Sequence, residues 1–197
     1  ILVPPRIDEG NTSTDHEVRE GEEVTLKCVA TGSPEPTITW RREDGQQIST
    51  GTKKVTSVIG SSLSILNVNR HHIGAYLCIA SNGVQPSVSK RIVLGVDFPP
   101  LIEVPNQVVG AATRTDVTLD CNLESHPKSV TYWTKKKNVI VISNFKYNIT
   151  EVPHGPYKSQ MKLRIRNLQP EDYGTYCCSA KNSLGDAEGN IKLYGEW

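Results

Sequence analysis

The chain has 197 residues, and its 22 basic and 21 acidic side chains leave a net charge of +1. Such a balance sets up no field strong enough to demand nucleic acid or an anionic membrane as partner, and no apolar run is long enough to span a bilayer. The first residue is Ile1, and no charged-then-apolar leader follows it. A processed piece or an excised fragment is therefore expected, with targeting and anchoring segments elsewhere.

Ile1-Leu2-Val3-Pro4-Pro5-Arg6-Ile7 reads as a lead-in to the first folded segment, because paired prolines fix φ near −65° and remove two donors, making a stiff extended stretch. Val24, Leu26 and Cys28 then alternate with Thr25 and Lys27, the period of a half-buried strand. Thr31 to Pro36 is expected to be a turn-rich loop, followed by a strand from Thr37 to Arg42 that carries Trp40 inward. Asp44-Gly45 is a tight-hairpin signal. Leu63 and Ile65 mark the next strand, with Val68 anchoring its exit. Ala75 to Ala80 is a strand with Tyr76, Cys78 and Ala80 inward, and Ser81-Asn82-Gly83 turns into a final strand through Ile92, Leu94 and Val96. Phe98-Pro99-Pro100-Leu101-Ile102 repeats the lead-in. Since the second lead-in follows a domain, the first is expected to do so as well, which places at least one further domain upstream.

The pattern recurs. Cys28 and Trp40 return 93 positions later as Cys121 and Trp133; Leu63, Ile65, Gly74, Tyr76 and Cys78 return 100 positions later as Leu163, Ile165, Gly174, Tyr176 and Cys178. An internal repeat of this period makes two domains, 1–97 and 98–197, all-β because no segment carries a helical period. Seven extra residues lie in Val139 to Pro156 of the second copy, expected as strand or loop on its edge. Ile191 and Leu193 close that copy, and Gly195-Glu196-Trp197 is expected to begin a stem.

Catalysis and metal binding find no support, so no catalytic residue, metal or cofactor is expected. The five histidines lack metal-ligand spacing, and His71 and His72, if on a strand, would point to opposite faces. Phosphate-cradling loops and Gly-x-Ser-x-Gly elbows are missing too. Asn11-Thr12-Ser13 and Asn148-Ile149-Thr150 are acceptors for N-linked glycans, and with five cysteines they point to an oxidising, extracellular route. Lys135-Lys136-Lys137 and its counterpart Arg41-Arg42 could meet sulfated glycans but are expected to be solvated turns; Lys162, Arg164 and Arg166 read as an outward strand face. Beside the inward Tyr76 and Cys78, Leu77 and Ile79 face outward, where two aliphatics can seed a protein interface unless neighbours such as Arg41 cover them.

Asp172-Tyr173-Gly174-Thr175-Tyr176-Cys177-Cys178 resembles the strand F signature of immunoglobulin domains, where the tyrosine hydroxyl bonds back to upstream backbone and the cysteine bridges two sheets over a tryptophan. The resemblance implies disulfides Cys28–Cys78 and Cys121–Cys178, closing loops of 50 and 57 residues. Each would contribute roughly 4 kcal/mol on a chain-entropy model. Aligned with Leu77 in the repeat, Cys177 is expected to be a free, partly shielded thiol on the outward face, with intermolecular pairing as the alternative. Where the second copy has Asp172 the first has His72, a departure from the usual acid.

Cys28-Val29-Ala30-Thr31-Gly32-Ser33-Pro34, Ala80-Ser81-Asn82-Gly83, the Phe98-Pro99-Pro100 linker and Ser179-Ala180-Lys181-Asn182-Ser183-Leu184-Gly185-Asp186 together resemble the insect Dpr-interacting proteins, which are similar to lachesin and the IgLON adhesion molecules. The resemblance implies two tandem I-set-like β-sandwich domains in an extended arrangement, the second and third of a three-domain neuronal receptor held at the plasma membrane by a lipid (GPI) anchor. It implies non-enzymatic cell adhesion and synaptic specificity, with Dpr-type immunoglobulin receptors bound by a missing upstream domain, the present segment serving as a monomeric, glycosylated spacer. A secreted or shed module binding a protein through Leu77 and Ile79 is the alternative. No binding residue of the family carries onto any position here.

Overall fold

Strand-forming alternation dominates the computed structural model, which describes residues 1–196; Trp197, part of the expected stem, lies outside the described residues. The chain divides into two units, Ile1–Asp97 and the remainder from Phe98.

In unit 1 the strands are β1 (Val3–Ile7), β2 (His16–Arg19), β3 (Val24–Lys27), β4 (Ala30–Ser33) and β5 (Thr37–Arg42). They are followed by β6 (Ile48–Ser49), β7 (Lys54–Val55), β8 (Val58–Ile59), β9 (Ser62–Ile65) and β10 (Gly74–Ser81). Last comes β11 (Val88–Glu103), whose residues up to Asp97 belong to this unit. One sheet runs β8-β5-β10-β11, with β2 parallel to β11; β3 pairs with β9. Period-2 alternation turns Val24, Leu26 and Cys28 of β3, Leu63 and Ile65 of β9, Trp40 of β5, Tyr76 and Cys78 of β10 and Ile92, Leu94 and Val96 of β11 into one buried layer.

Two loop expectations are corrected. Ala30–Ser33 is strand, pairing with β1, so the loop begins only at Pro34; Gly32 lies close against the Val3 and Pro4 carbonyls, an approach that a side chain would obstruct. The turn at Asp44-Gly45 forms, closed by Gly45 N–H donating to Arg42 O at 3.2 Å, but the chain does not return along β5. Fully buried Ile48 is drawn into the core, β6 pairs with β7, and the partner of β5 is β8. A third correction concerns His71 and His72, which sit on the 3-10 turn Arg70–His72, His71 exposed and His72 buried.

Unit 2 contains the end of β11 and β12 (Val108–Ala111), β13 (Val117–His126), β14 (Val130–Lys135) and β15 (Val139–Ile140). The chain continues through β16 (Tyr147–Pro153), β17 (Lys158–Ile165), β18 (Gly174–Asn182) and β19 (Gly185–Gly195). Its sheets run β16-β17-β13-β11 and β12-β19-β18-β14-β15. The core is built on Leu119, Cys121, Trp133, Met161, Leu163, Tyr176, Cys178 and Ile191. Both edge strands β15 and β16 fall in the segment that is longer than its counterpart in unit 1.

Each unit is tied by an asparagine at the exit of its tyrosine-bearing strand, Asn82 after β10 and Asn182 at the end of β18. Asn82 Nδ2 donates to Val3 O (2.8 Å) and Pro34 O (2.9 Å), and Asn182 Nδ2 donates to Phe98 O (2.9 Å) and Pro127 O (3.2 Å). In each case the same side chain accepts from a backbone N–H two residues on, Val84 or Leu184, so one amide closes its own turn and ties down the lead-in strand.

Candidate functional site

The centre of each unit is a disulfide beside a tryptophan. Cys28–Cys78 and Cys121–Cys178 join the layers with Cα–Cα distances of 6.4 and 6.6 Å. Trp40 lies directly across the β5–β10 ladder from Cys78, and Trp133 across the β14–β18 ladder from Cys178. Trp40 Nε1 donates to Gly60 O at 3.0 Å, whereas buried Trp133 Nε1 has no hydrogen-bond partner among the described residues.

Around the tyrosine of β10 and β18 the two copies solve one problem with different chemistry. Tyr76 Oη donates to His72 O at 2.8 Å, and Tyr176 Oη donates to Asp172 O at 2.7 Å. Burial pushes the Tyr76 hydroxyl up to about 12, against the opposing Arg42 charge, and burial likewise raises Tyr176. In unit 2, Asp172 accepts from Gln169 N–H at 2.8 Å and pairs with Lys146 Nζ at 2.6 Å. In unit 1 the His72 ring takes over: Nδ1 accepts from Asn69 N–H at 2.9 Å and Nε2 donates to Ser49 O at 2.7 Å. Because Nδ1 faces a donor, the ring carries its hydrogen on Nε2.

Arg42, expected in a solvated turn, is instead buried. Its guanidinium donates to His71 O (2.7 Å), Ile73 O (2.9 Å) and both oxygens of Asp44, and stands 5.4 Å from the Tyr76 ring centroid. A Cβ on Gly74, at φ 150°, would sit 2.9 Å from Nη2, so glycine makes room for it. Burial pushes the Asp44 carboxyl up, but the Gln46 N–H and the Arg42 guanidinium outweigh that and hold it below its usual value. Sequence gives no sign of this strut beyond a cation beside an Asp-Gly turn. The counterpart Lys135 donates to Tyr147 Oη at 3.0 Å and lies 4.7 Å from that ring centroid, while Lys136 Nζ donates to Glu171 O. Lys162 and Arg164 pair with Asp120 and Asp116 across the strands.

Leu77 and Ile79 face outward from β10 but are half-buried. Leu77 sits between Arg41 of β5 and Arg91 of β11, whose Nε pairs with Glu43 at 2.7 Å. Cys177 takes the equivalent place on β18, between Thr134 and Asn190. It is a free, half-buried thiol 3.6 Å from Ser179 Oγ and 3.7 Å from Glu188 Oε2. Exposed Asn11 ends a 3-10 turn with its amide donating to Asp8 Oδ2 at 2.8 Å; Asn148 lies half-exposed on edge strand β16. These candidates occupy separate surfaces. Each unit has a shallow groove, 640 Å³ around Arg42, Lys54 and His71 in unit 1 and 330 Å³ around Leu101, Glu124 and His154 in unit 2. Among the described residues neither unit by itself gathers three metal-ligating side chains, and no helix is long and apolar enough to cross a membrane.

Paired sheets pinned by a central disulfide, a tryptophan against the bridge and a tyrosine hydroxyl turned back to the backbone four residues upstream define an immunoglobulin domain, here present twice. The immunoglobulin domain family matches residues 4–82 and 99–182, and the chain belongs to that family. It is 34% identical over 194 residues to lachesin of Drosophila melanogaster, covering 98% of this chain and 53% of lachesin. The same identity over 194 residues relates it to the limbic system-associated membrane protein of Gallus gallus, again with 98% and 53% coverage. The chain thus spans about half the length of the curated relatives it matches. Among solved structures, a complex of Dpr2 Ig1-Ig2 with DIP-Theta Ig1-Ig3 contains a chain 50% identical with a TM-score of 0.94, the match covering 99% of this chain and 66% of that one.

Proposed function

We propose that this chain is a non-enzymatic spacer segment of a neuronal cell-surface recognition receptor, comprising the second and third immunoglobulin domains of a Dpr-interacting-type protein. The observation that carries the reading is the 50% identity over 99% of the chain to a partner in a Dpr2–DIP-Theta complex of which it covers 66%. Two domains amount to two thirds of a three-domain chain, so the ratio fits the Ig1-Ig3 member of that complex. A spacer needs robust folding more than a reactive site, and the buried disulfides, the Asn82 and Asn182 clamps and the engaged Arg42 and Lys135 supply it. Partner recognition then falls to an upstream immunoglobulin domain that meets Dpr-type receptors, at a plasma membrane to which the receptor is tethered by a lipid anchor. Leu77 and Ile79, half-covered beside Arg41 and Arg91, are not required to bind anything in this scheme.

Surface plasmon resonance against a panel of Dpr-type ectodomains tests it. The reading expects binding by the full-length ectodomain, no binding by residues 1–197, and no change in the full-length affinity when Leu77 and Ile79 are replaced by serine. Saturable binding by residues 1–197 alone, lost on those replacements, would sink it in favour of a self-sufficient binding module.

A further inference from the structure

Between edge strands β15 and β16, the segment from Val139 to Tyr147 passes around one edge of unit 2. Val141 and Tyr147 point into the core, at 4% and 8% exposure. The remaining apolar side chains do the reverse: Val139, Ile140, Ile142 and Phe145 are 50, 60, 72 and 88% exposed. Val139 and Ile140 lie on β15, at the end of its sheet, and Ile142 and Phe145 on the segment that leads to β16, so four apolar side chains within seven residues are exposed beside a strand edge, a combination that proteins normally cover. Lys135, Lys136 and Lys137 lead into this segment, which holds no acid, so a second copy brought edge to edge would set like charges against each other.

Asn144 N–H donates to Tyr147 O at 2.8 Å, and its side-chain Oδ1 accepts from the backbone N–H groups of Lys146 (2.8 Å) and Tyr147 (3.0 Å), closing a tight reversal with Phe145 and Lys146 at its tip. Ser143 Oγ reaches across that reversal to Tyr147 O and Ile149 N, each at 3.4 Å, bracketing Asn148. Asn148 opens the acceptor Asn148-Ile149-Thr150, is half-exposed, and has no side-chain hydrogen bond among the described residues, unlike Asn11. Phe145 is three residues away, at most about 10 Å along an extended chain and less across a turn. That is within reach of the first sugar on the Asn148 amide. An N-acetylglucosamine ring has one face of C–H groups, which suits the face of an aromatic ring, while its hydroxyls turn to water.

We propose that Asn148 carries an N-linked glycan whose first N-acetylglucosamine packs on Phe145 and covers the apolar edge of unit 2. The sugar is neutral, so the surrounding lysines do not oppose it, and its bulk blunts β16 against pairing with another chain. This inference rests on the secretory route of the proposed function. The test is arranged so that the two can fail separately.

The full chain is secreted from insect cells and examined by peptide mass spectrometry, then trimmed by an endoglycosidase that leaves one N-acetylglucosamine on asparagine. Unfolding midpoints are compared for the trimmed protein and Asn148→Gln, each with and without Phe145→Ser; Phe145 is exposed enough that this change leaves the fold intact. Expected are glycosylated Asn148, a midpoint for unit 2 raised by about 2–4 °C by the single sugar, and loss of that gain in the Phe145→Ser background. An unmodified Asn148 in secreted protein whose four bridged cysteines are oxidised overturns the inference and leaves the receptor reading standing. A sugar whose stabilisation is the same in both backgrounds overturns the covering role.

Discussion

Replacing His72 with alanine tests the most distinctive local chemistry of unit 1. The ring is 3% exposed and links two backbone groups, the Asn69 N–H and the Ser49 carbonyl. Each hydrogen bond contributes about 1 kcal/mol net, with a larger penalty if the stranded group stays dry. Packing lost with the ring adds about 1 kcal/mol more. The sum, about 3 kcal/mol, is a large share of a stability of about 5–15 kcal/mol. Differential scanning calorimetry on the whole chain should show the unit 1 transition lowered by about 10–20 °C with the unit 2 transition unmoved. Two partial rescues sharpen the test. In His72→Asn the side-chain oxygen can replace Nδ1 as acceptor for Asn69, and in His72→Gln the amide nitrogen can replace Nε2 as donor to Ser49, so each should recover about 1 kcal/mol. If alanine costs less than about 1 kcal/mol, or neither amide improves on alanine, the account of His72 as a two-ended strut is wrong.

Alkali offers a second test. The Tyr76 hydroxyl titrates near 10 in the unfolded chain but is raised to about 12 when folded; its contribution is therefore complete below pH 10 and lost as pH climbs through 12, about 3 kcal/mol in all, and denaturant midpoints of unit 1 that stay flat from pH 9 to 12 would contradict it. Trp40→Phe should destabilise by about 1–2 kcal/mol more than Trp133→Phe, because Trp40 Nε1 donates to Gly60 O while Trp133 Nε1 has no acceptor among the described residues, and equal losses in urea titrations would refute the distinction. Cys177→Ser should leave stability within about 0.5 kcal/mol and remove the single reactive thiol found by mass spectrometry, whereas Cys178→Ser should cost roughly 4 kcal/mol. Gly189→Ala places a methyl 2.4 Å from Val104 Cγ2 and 3.2 Å from Cys178 Sγ, and should lower the unit 2 midpoint by at least 5 °C, as overpacking of about 1 kcal/mol or more does.

Alternation made the sandwiches legible. Val24-Leu26-Cys28 and Ile191-Leu193 each put every second side chain inward, and a pattern of period two has few other uses. What stayed hidden depends on distant partners. Asp44-Gly45 does bend the chain, yet the strand after it is chosen by the core vacancy that Ile48 fills rather than by the turn. Arg42 and Lys135 look like surface cations until the carbonyls of His71 and Ile73, or the hydroxyl of Tyr147, are brought beside them from 29 or 31 and 12 residues away.

His72 shows why a repeat can be read correctly and still mislead about its chemistry. Aligned with Asp172, it looks like a lost ion pair. Both side chains in fact accept from the backbone N–H three residues earlier, Asn69 or Gln169, and so perform the same capping step. They differ in the second contact: the carboxylate takes the Lys146 ammonium, while the imidazole, still a donor at Nε2, takes the Ser49 carbonyl. A carboxylate at position 72 would face that carbonyl with a negative charge, and a neutral imidazole at 172 would leave Lys146 without its anion. The exchange of acid for histidine is thus matched to what each unit places opposite it: the Ser49 carbonyl of the short β6 strand in unit 1, and in unit 2 the longer segment that carries Lys146, Phe145 and Asn148.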